Sequence, residues 1–310
     1  MKKTKSISLV SSSLLALLLV PRFAFALVAG GCGTACINMG ADHSLQEVAI
    51  QDLYPYLWRQ LLLVAAFYIS GFIFGKLVQR GKMSPSLSRK LVCVLTFVVS
   101  FANSFSVPAY GISVTCVLVG SGCVIILAML SSLALPLRRK FAVLQTVFSA
   151  INRPEDEPYT LGWLATEAVV TGVVIIAFIP VIHYFSNRSL ADQDIIYGLM
   201  LMPVFASGIG DALAEIVGKR WGKHFYSTRS ITGNRVYMRS YEGSFMVFVT
   251  TVAAGLIVAA QFHFELPVFY WKAFILLPFT LTLAEAKAPH TWDNPLLYLA
   301  GYATIVLCLL

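Results

Sequence analysis

Between Ser207 and Gly243 the chain gathers its most chemically capable side chains, and the best ordered are Asp211, Glu215 and Lys219, spaced four residues apart. On a helix this spacing makes one stripe: two carboxylates that can hold a hard divalent cation, then an ammonium that can meet a phosphate. Ala212 and Ala214 are small enough for close helix packing, and Gly218 suits a cap. Just before them, Gly208 and Gly210 predict a tight turn ending the preceding apolar run. A plainer reading makes the stripe an i, i+4 ion pairing and the nearby cations mere markers of topology. Against it, acids at the edge of an apolar span are costly to desolvate and are generally functional. The glycine pattern matches neither GxxxxGK[ST] nor a GxGxxG after a strand, which excludes P-loop and Rossmann sites.

A second polar group closes a later apolar run, with Glu285, Lys287, His290, Asp293 and Asn294 in LAEAKAPHTWDNPL. Asp293 and Asn294 offer metal or hydroxyl ligands, and they equally suit the start of a helix carrying Pro295. Glu285 lies inside the apolar run, where a structural explanation is harder to find. His290 has the chemistry of a general base, although a single interfacial histidine is as readily structural.

The elements that must position these groups follow from composition. The 310 residues are 58% hydrophobic and 12% charged, with a mean hydropathy of +0.77, against ~25% charged residues in soluble chains. That excludes a soluble enzyme. It predicts an all-α, polytopic bundle with eight apolar runs near 60–77, 91–108, 111–137, 161–182, 195–209, 243–262, 267–286 and 294–310. Lys and Arg collect in alternate loops, including Arg89 and Lys90, Arg138 to Lys140 with Arg153, and Lys219 to Arg239. The positive-inside rule makes those loops cytoplasmic, accounts for the net charge of +8 without a nucleic-acid partner, and puts 183–194 outside.

Lys2, Lys3 and Lys5 before an apolar stretch, with Ala24-Phe25-Ala26 beyond it, predict a signal peptide over 1–26 or an uncleaved first span. Residues 27–59 then form an external segment, where Cys32 and Cys36 can pair, and 60–310 form a single integral-membrane catalytic domain. Cys93, Cys116, Cys123 and Cys308 lie in apolar runs and read as small hydrophobes.

The run from Asp211 to Gly222, DALAEIVGKRWG, then Arg239-Ser-Tyr-Glu-Gly243 opening a span, then Glu285 with Asp293-Asn294-Pro295, resembles the polyprenol kinase family of dolichol, phytol and farnesol kinases. The resemblance covers about residues 76–305. It implies a multi-span enzyme of a bacterial inner membrane or an organelle membrane, moving the terminal phosphate of CTP to an isoprenoid alcohol in the bilayer lipid with Mg2+ as cofactor. It assigns Asp211, Asp293 and Asn294 to catalysis, and Asp211 with Glu215 to the metal. Lys219, Arg220, Arg239, Ser240, Glu242, Gly243, Arg89 and Lys90 it assigns to the nucleotide phosphates. Asp211, Glu242 and Asp293 remain alternatives for the general base. The chain departs from the family at Arg89-Lys90-Leu-Val-Cys93, where Cys93 replaces an expected His. Phosphatidate cytidylyltransferase shares part of the pattern, but its closing His-Gly-Gly and Asp-Arg signature is missing. A membrane transporter is the alternative of a different class, suggested by Glu167 and the short fifth run.

Overall fold

A computed structural model describes residues 50–104, 114–189, 192–231 and 235–310. The predicted signal peptide and the Cys32/Cys36 pair lie outside the described residues. The helices are α1 (Ile50–Gln79), α2 (Pro85–Ser104), α3 (Val114–Leu133), α4 (Leu135–Lys140), α5 (Ala142–Ile151), α6 (Thr160–Arg188), α7 (Gln193–Phe205), α8 (Asp211–Trp221), α9 (Tyr241–Gln261), α10 (Val268–Lys287) and α11 (Asp293–Leu309). Among the described residues five segments are long and apolar enough to cross a membrane: Leu57–Gln79, Thr160–Arg188, Asp194–Trp221, Tyr241–Gln261 and Val268–Lys287. Their outer faces carry exposed apolar side chains such as Ile69, Val173, Ile275 and Phe279, as lipid contact requires.

Three features differ from the sequence expectation. The first apolar run, expected near 60–77, lies in a helix that begins at Ile50 and ends at Gln79. Gly208 and Gly210 do not break the chain, because Ala206–Gly210 forms a π-turn joining α7 to α8, with the Asp211 N–H reaching back to the Ala206 carbonyl. Pro203, just upstream inside α7, has no N–H to give the regular ladder. The extra residue of a π-turn shifts the helical phase by about 100°, which sets the face that Asp211 and Glu215 present.

The third difference is a two-stranded antiparallel sheet, so the fold is not purely α. Strands β1 (Phe225–Arg229) and β2 (Val236–Ser240) pair with Tyr226 opposite Arg239 and Thr228 opposite Tyr237. Burial alternates along both strands: Tyr226, Thr228, Tyr237 and Arg239 turn inward, while Phe225, Ser227, Val236 and Met238 stay exposed. This period of two needs no apolar run, so a search for spans passes over it. β2 leads directly into α9, whose first turn is capped by Ser240 Oγ accepting from the Gly243 N–H at 3.1 Å.

Two apolar cores form. One joins α7, α9, α10 and α11 through Leu199, Met202, Val247, Leu277, Leu281 and Leu297. The other joins α1, α2, α3 and α5 through Phe67, Val92, Leu133 and Val147, with Leu164 of α6. Since lipid tails are as apolar as leucine, such cores hold by close packing more than by leaving water. At the α8–α9 crossing, a Cβ on Gly243 would stand 2.6 Å from the Ala214 carbonyl oxygen. Gly243→Ala is therefore expected to lower stability by about 1–3 kcal/mol, whereas Gly162→Ala, with open space around it, should be neutral or slightly stabilising. Thermal unfolding in one detergent checks both.

Candidate active site

The two cores meet through charge. Lys90 of α2 is 5% exposed, and its ammonium donates to Asp211 Oδ2 and lies 3.6 Å from Glu215 Oε2. Arg153, which follows α5, donates to Glu215 Oε2 at 2.5 Å. Lys219 donates to Glu215 Oε1 at 2.7 Å, and Ser86 donates to that same oxygen. The stripe of α8 thus faces α2 and the end of α5. Both Glu215 oxygens are engaged by cations and a hydroxyl, so in this arrangement Glu215 is an ion-pair partner.

The hairpin supplies the opposite wall. Arg239 Nη1 donates to Glu285 Oε1 at 2.6 Å and to the Glu285 carbonyl at 2.5 Å, and Nη2 lies 3.6 Å from Asp293 Oδ2. Tyr237 stacks on His290 with ring centres 3.6 Å apart, and His290 Nε2 donates to Asp156 Oδ1 at 3.0 Å. Asp156 itself follows α5 in a short turn, with Arg89 Nη1 3.9 Å from its other oxygen. Arg235 fastens the hairpin to the same stretch by donating to the carbonyls of Glu155 and Glu157 at 2.6 and 2.7 Å.

A cavity of about 270 Å³ lies between these walls. Arg89, Lys90, Asp211, Glu215, Lys219, Arg239, Ser240, Gly243 and Asp293 all line it, although the sequence spreads them over more than 200 residues. Arg220 and Glu242 do not; they line a separate hollow beside Trp221 and Lys223, where the Glu242 carboxylate accepts from the His224 N–H and ring. Glu242 is thereby turned away from any chemistry at Asp211. Asn294 follows Asp293 but points elsewhere, donating to Glu167 Oε1 and accepting from Ser207 Oγ, each at 2.6 Å. Comparison with protein-family models, curated proteins and solved structures finds no match to this chain.

Sequence reasoning passed over Arg153, Asp156 and Ser86. Arg153 read as one more topology charge, and only the fold reveals that it is 6% exposed and aimed at a carboxylate. Two donors on residues that line the cavity, Arg89 Nη1 and Arg153 Nε, are buried without a hydrogen-bond acceptor. Buried donors are rarely left so. Among the described residues no three metal-ligating side chains converge into a cage. The donor set nonetheless fits Mg2+, which needs one or two carboxylates plus substrate phosphates. Asp211 and Asp293 both line the cavity, and each retains lone pairs beyond its single cation partner.

Two measurements follow. Lys90→Met leaves the half-buried Asp211 without its cation and takes one of three from Glu215, and should cost about 3 kcal/mol, while Lys219→Met, on a side chain 61% exposed, should cost at most ~1 kcal/mol. Burial pushes the Asp156 carboxyl up, but the His290 hydrogen bond and the charges of Arg89, His290 and Arg153 together hold it below its usual value. Asp156 therefore stabilises the fold above its unfolded pKa of ~3.9, and the contribution is lost as pH falls through the lower folded value. Asp156→Asn should flatten the acid limb of stability against pH, read below pH 5.

Proposed function

We propose that this protein is a CTP-dependent kinase that phosphorylates the hydroxyl of a membrane isoprenoid alcohol of the phytol, farnesol or polyprenol type. The observation that carries the reading is the pair of buried, acceptor-less guanidinium donors of Arg89 and Arg153, in a cavity that also holds Lys90, Lys219 and Arg239. Five cations and five carboxylates line the one space, a mixture that suits a phosphate chain carried with a divalent cation better than any neutral ligand. The volume lies below the ~300–1,000 Å³ that encloses a drug-sized ligand, so it suits the phosphates with the base outside. The sequence resemblance supplies the choice of cytidine and of an isoprenoid.

The residues divide the work as follows. Arg89, Lys90, Arg153, Lys219 and Arg239 hold the phosphate oxygens and offset the charge that moves from the terminal phosphate to the leaving diphosphate. The alcohol oxygen bonds to the terminal phosphorus as the bridging P–O bond breaks, and the diphosphate leaves with that electron pair. Asp211 and Asp293 would hold Mg2+, which would supply charge neutralisation to the phosphates. Whichever of these two carboxylates is nearer the alcohol takes its proton, since Glu242 faces away. An eight-span arrangement with this end in the cytoplasm, behind an N-terminal signal or first span, gives the site its nucleotide supply and leaves the alcohol's tail among the helices.

Protein in lipid is supplied with CTP labelled in the terminal phosphate or, separately, in the base, together with a panel of isoprenols. Terminal label in the lipid fraction is the expected result. Base label there would make the protein a cytidylyltransferase, and neither label would favour transport. Asp211→Asn should lower transfer by about 10²-fold or more while folding is retained, because the amide oxygen still accepts from Lys90. Near-normal transfer in that variant would return Asp211 to a structural role.

A further inference from the structure

The second hollow lies where two membrane-crossing segments end. Asp194–Trp221 finishes at Trp221 and Tyr241–Gln261 begins at Tyr241, and the hollow is walled by Arg220, Trp221, Gly222 and Lys223 on one side and Glu242 on the other. An exposed strip on α9 leads up to it. Tyr241, Phe245 and Val249, each one turn from the next, are exposed, and Leu256 and Ile257 continue further along the helix, as a side turned to lipid requires. Tyr241 stands at the head of that strip, next to Glu242, with its ring 4.9 Å from that of Tyr226. Trp221 and Tyr241 are both more than half exposed, and such rings at the ends of spans settle where hydrocarbon gives way to headgroups. The hollow therefore opens at headgroup depth.

Its charges are unbalanced. The one carboxylate in the wall, Glu242, is engaged by the His224 N–H and ring. Among the described residues neither Arg220 nor Lys223 makes an ion pair, and both side chains are exposed. Arg220 instead places its guanidinium 5.1 Å from the centre of the Trp221 ring, which keeps the cation beside the indole. Two cations without anionic partners thus stand over the end of an apolar strip.

We propose that this hollow binds the headgroup of an anionic phospholipid from the leaflet at this end of the bundle. Arg220 and Lys223 hold the phosphate, and the acyl chains lie along Tyr241, Phe245 and Val249. A soluble phosphate would meet the same cations but leave the strip uncovered. A choline lipid would cover the strip but bring its own cation against Arg220 and Lys223, so net negative charge decides the preference. The bound lipid ties the last turn of α8 to the first turn of α9, the two helices that supply Gly218 and Gly243 to the phosphate cavity. Arg220, assigned to the nucleotide by resemblance, then serves the lipid, and the site stands whether or not the protein is a kinase.

The test follows Trp221 fluorescence in vesicles whose phosphatidylcholine is replaced stepwise by brominated phosphatidylglycerol or by brominated phosphatidylcholine. The Trp221 signal is the difference between the parent protein and Trp221→Phe. Brominated phosphatidylglycerol should quench it at the lower lipid fraction, and Arg220→Gln and Lys223→Gln should each cut that preference about five-fold. Arg80→Gln with Lys82→Gln, which removes two exposed cations from the turn between α1 and α2, should leave the preference unchanged. Phosphatidylglycerol retained in native mass spectra, and lost in the Arg220→Gln, Lys223→Gln double variant, gives the same result with Trp221 intact. Equal quenching by the two lipids, or an equal loss in the Arg80, Lys82 variant, would overturn the site in favour of diffuse surface charge. Reversal of quenching by excess inorganic phosphate would make it a site for soluble anions, and no quenching by either lipid would take the hollow away from the bilayer; each overturns the lipid site.

Discussion

A buried ammonium persists only where carboxylates surround it, and the placement of Lys90 against Asp211 and Glu215 is the constraint on which this architecture turns. It ties α2, which belongs to one apolar core, to α8, which continues the rod of the other. Arg153 repeats the tie from the end of α5. Docked through these ion pairs the two cores wall the cavity, and the hairpin closes the remaining side with Arg239 on Glu285 and Tyr237 on His290.

The same interactions explain why the site stands at an end of the bundle. Apolar helices pack against lipid and one another, but a cluster holding Asp156, Asp211, Glu215, Glu285 and Asp293 with Arg89, Lys90, Arg153 and Arg239 needs water close by and a partner for nearly every charge. Mutual pairing supplies most of those partners, and the unmet donors of Arg89 and Arg153 are exceptions. In the proposed reading, binding exchanges one set of anionic partners for another. The cations are preorganised by carboxylates that the phosphates and Mg2+ would then relieve.

Much of this was legible in the sequence where local spacing carries the information. The i, i+4 stripe of Asp211, Glu215 and Lys219 forms on a helix as the spacing requires, and the Arg239-to-Gly243 segment opens a helix through the Ser240 cap. The hairpin was not legible by the same route, because its inward residues are Tyr226, Thr228, Tyr237 and Arg239, and half of those do not register as apolar. Gly208 and Gly210 suggested a break, yet the backbone passes through them as a π-turn, and at Gly208 the missing side chain admits the Phe97 ring. Long-range pairs such as Arg153 with Glu215 or Asn294 with Glu167 leave no trace in spacing at all. Only the fold brings 62 and 127 residues of separation down to hydrogen-bond distance.

The central claim is that one cavity, enclosed by α2, α8 and the hairpin, is where a nucleoside triphosphate is held. A photoreactive CTP analogue, cross-linked to the protein in lipid and mapped by peptide mass spectrometry, tests it most directly. Attachment that excess CTP competes away, confined to residues 86–93, 211–219 and 236–244, is the result this account predicts. Attachment centred on the Arg220–Lys223 hollow, or none that CTP displaces, would contradict it.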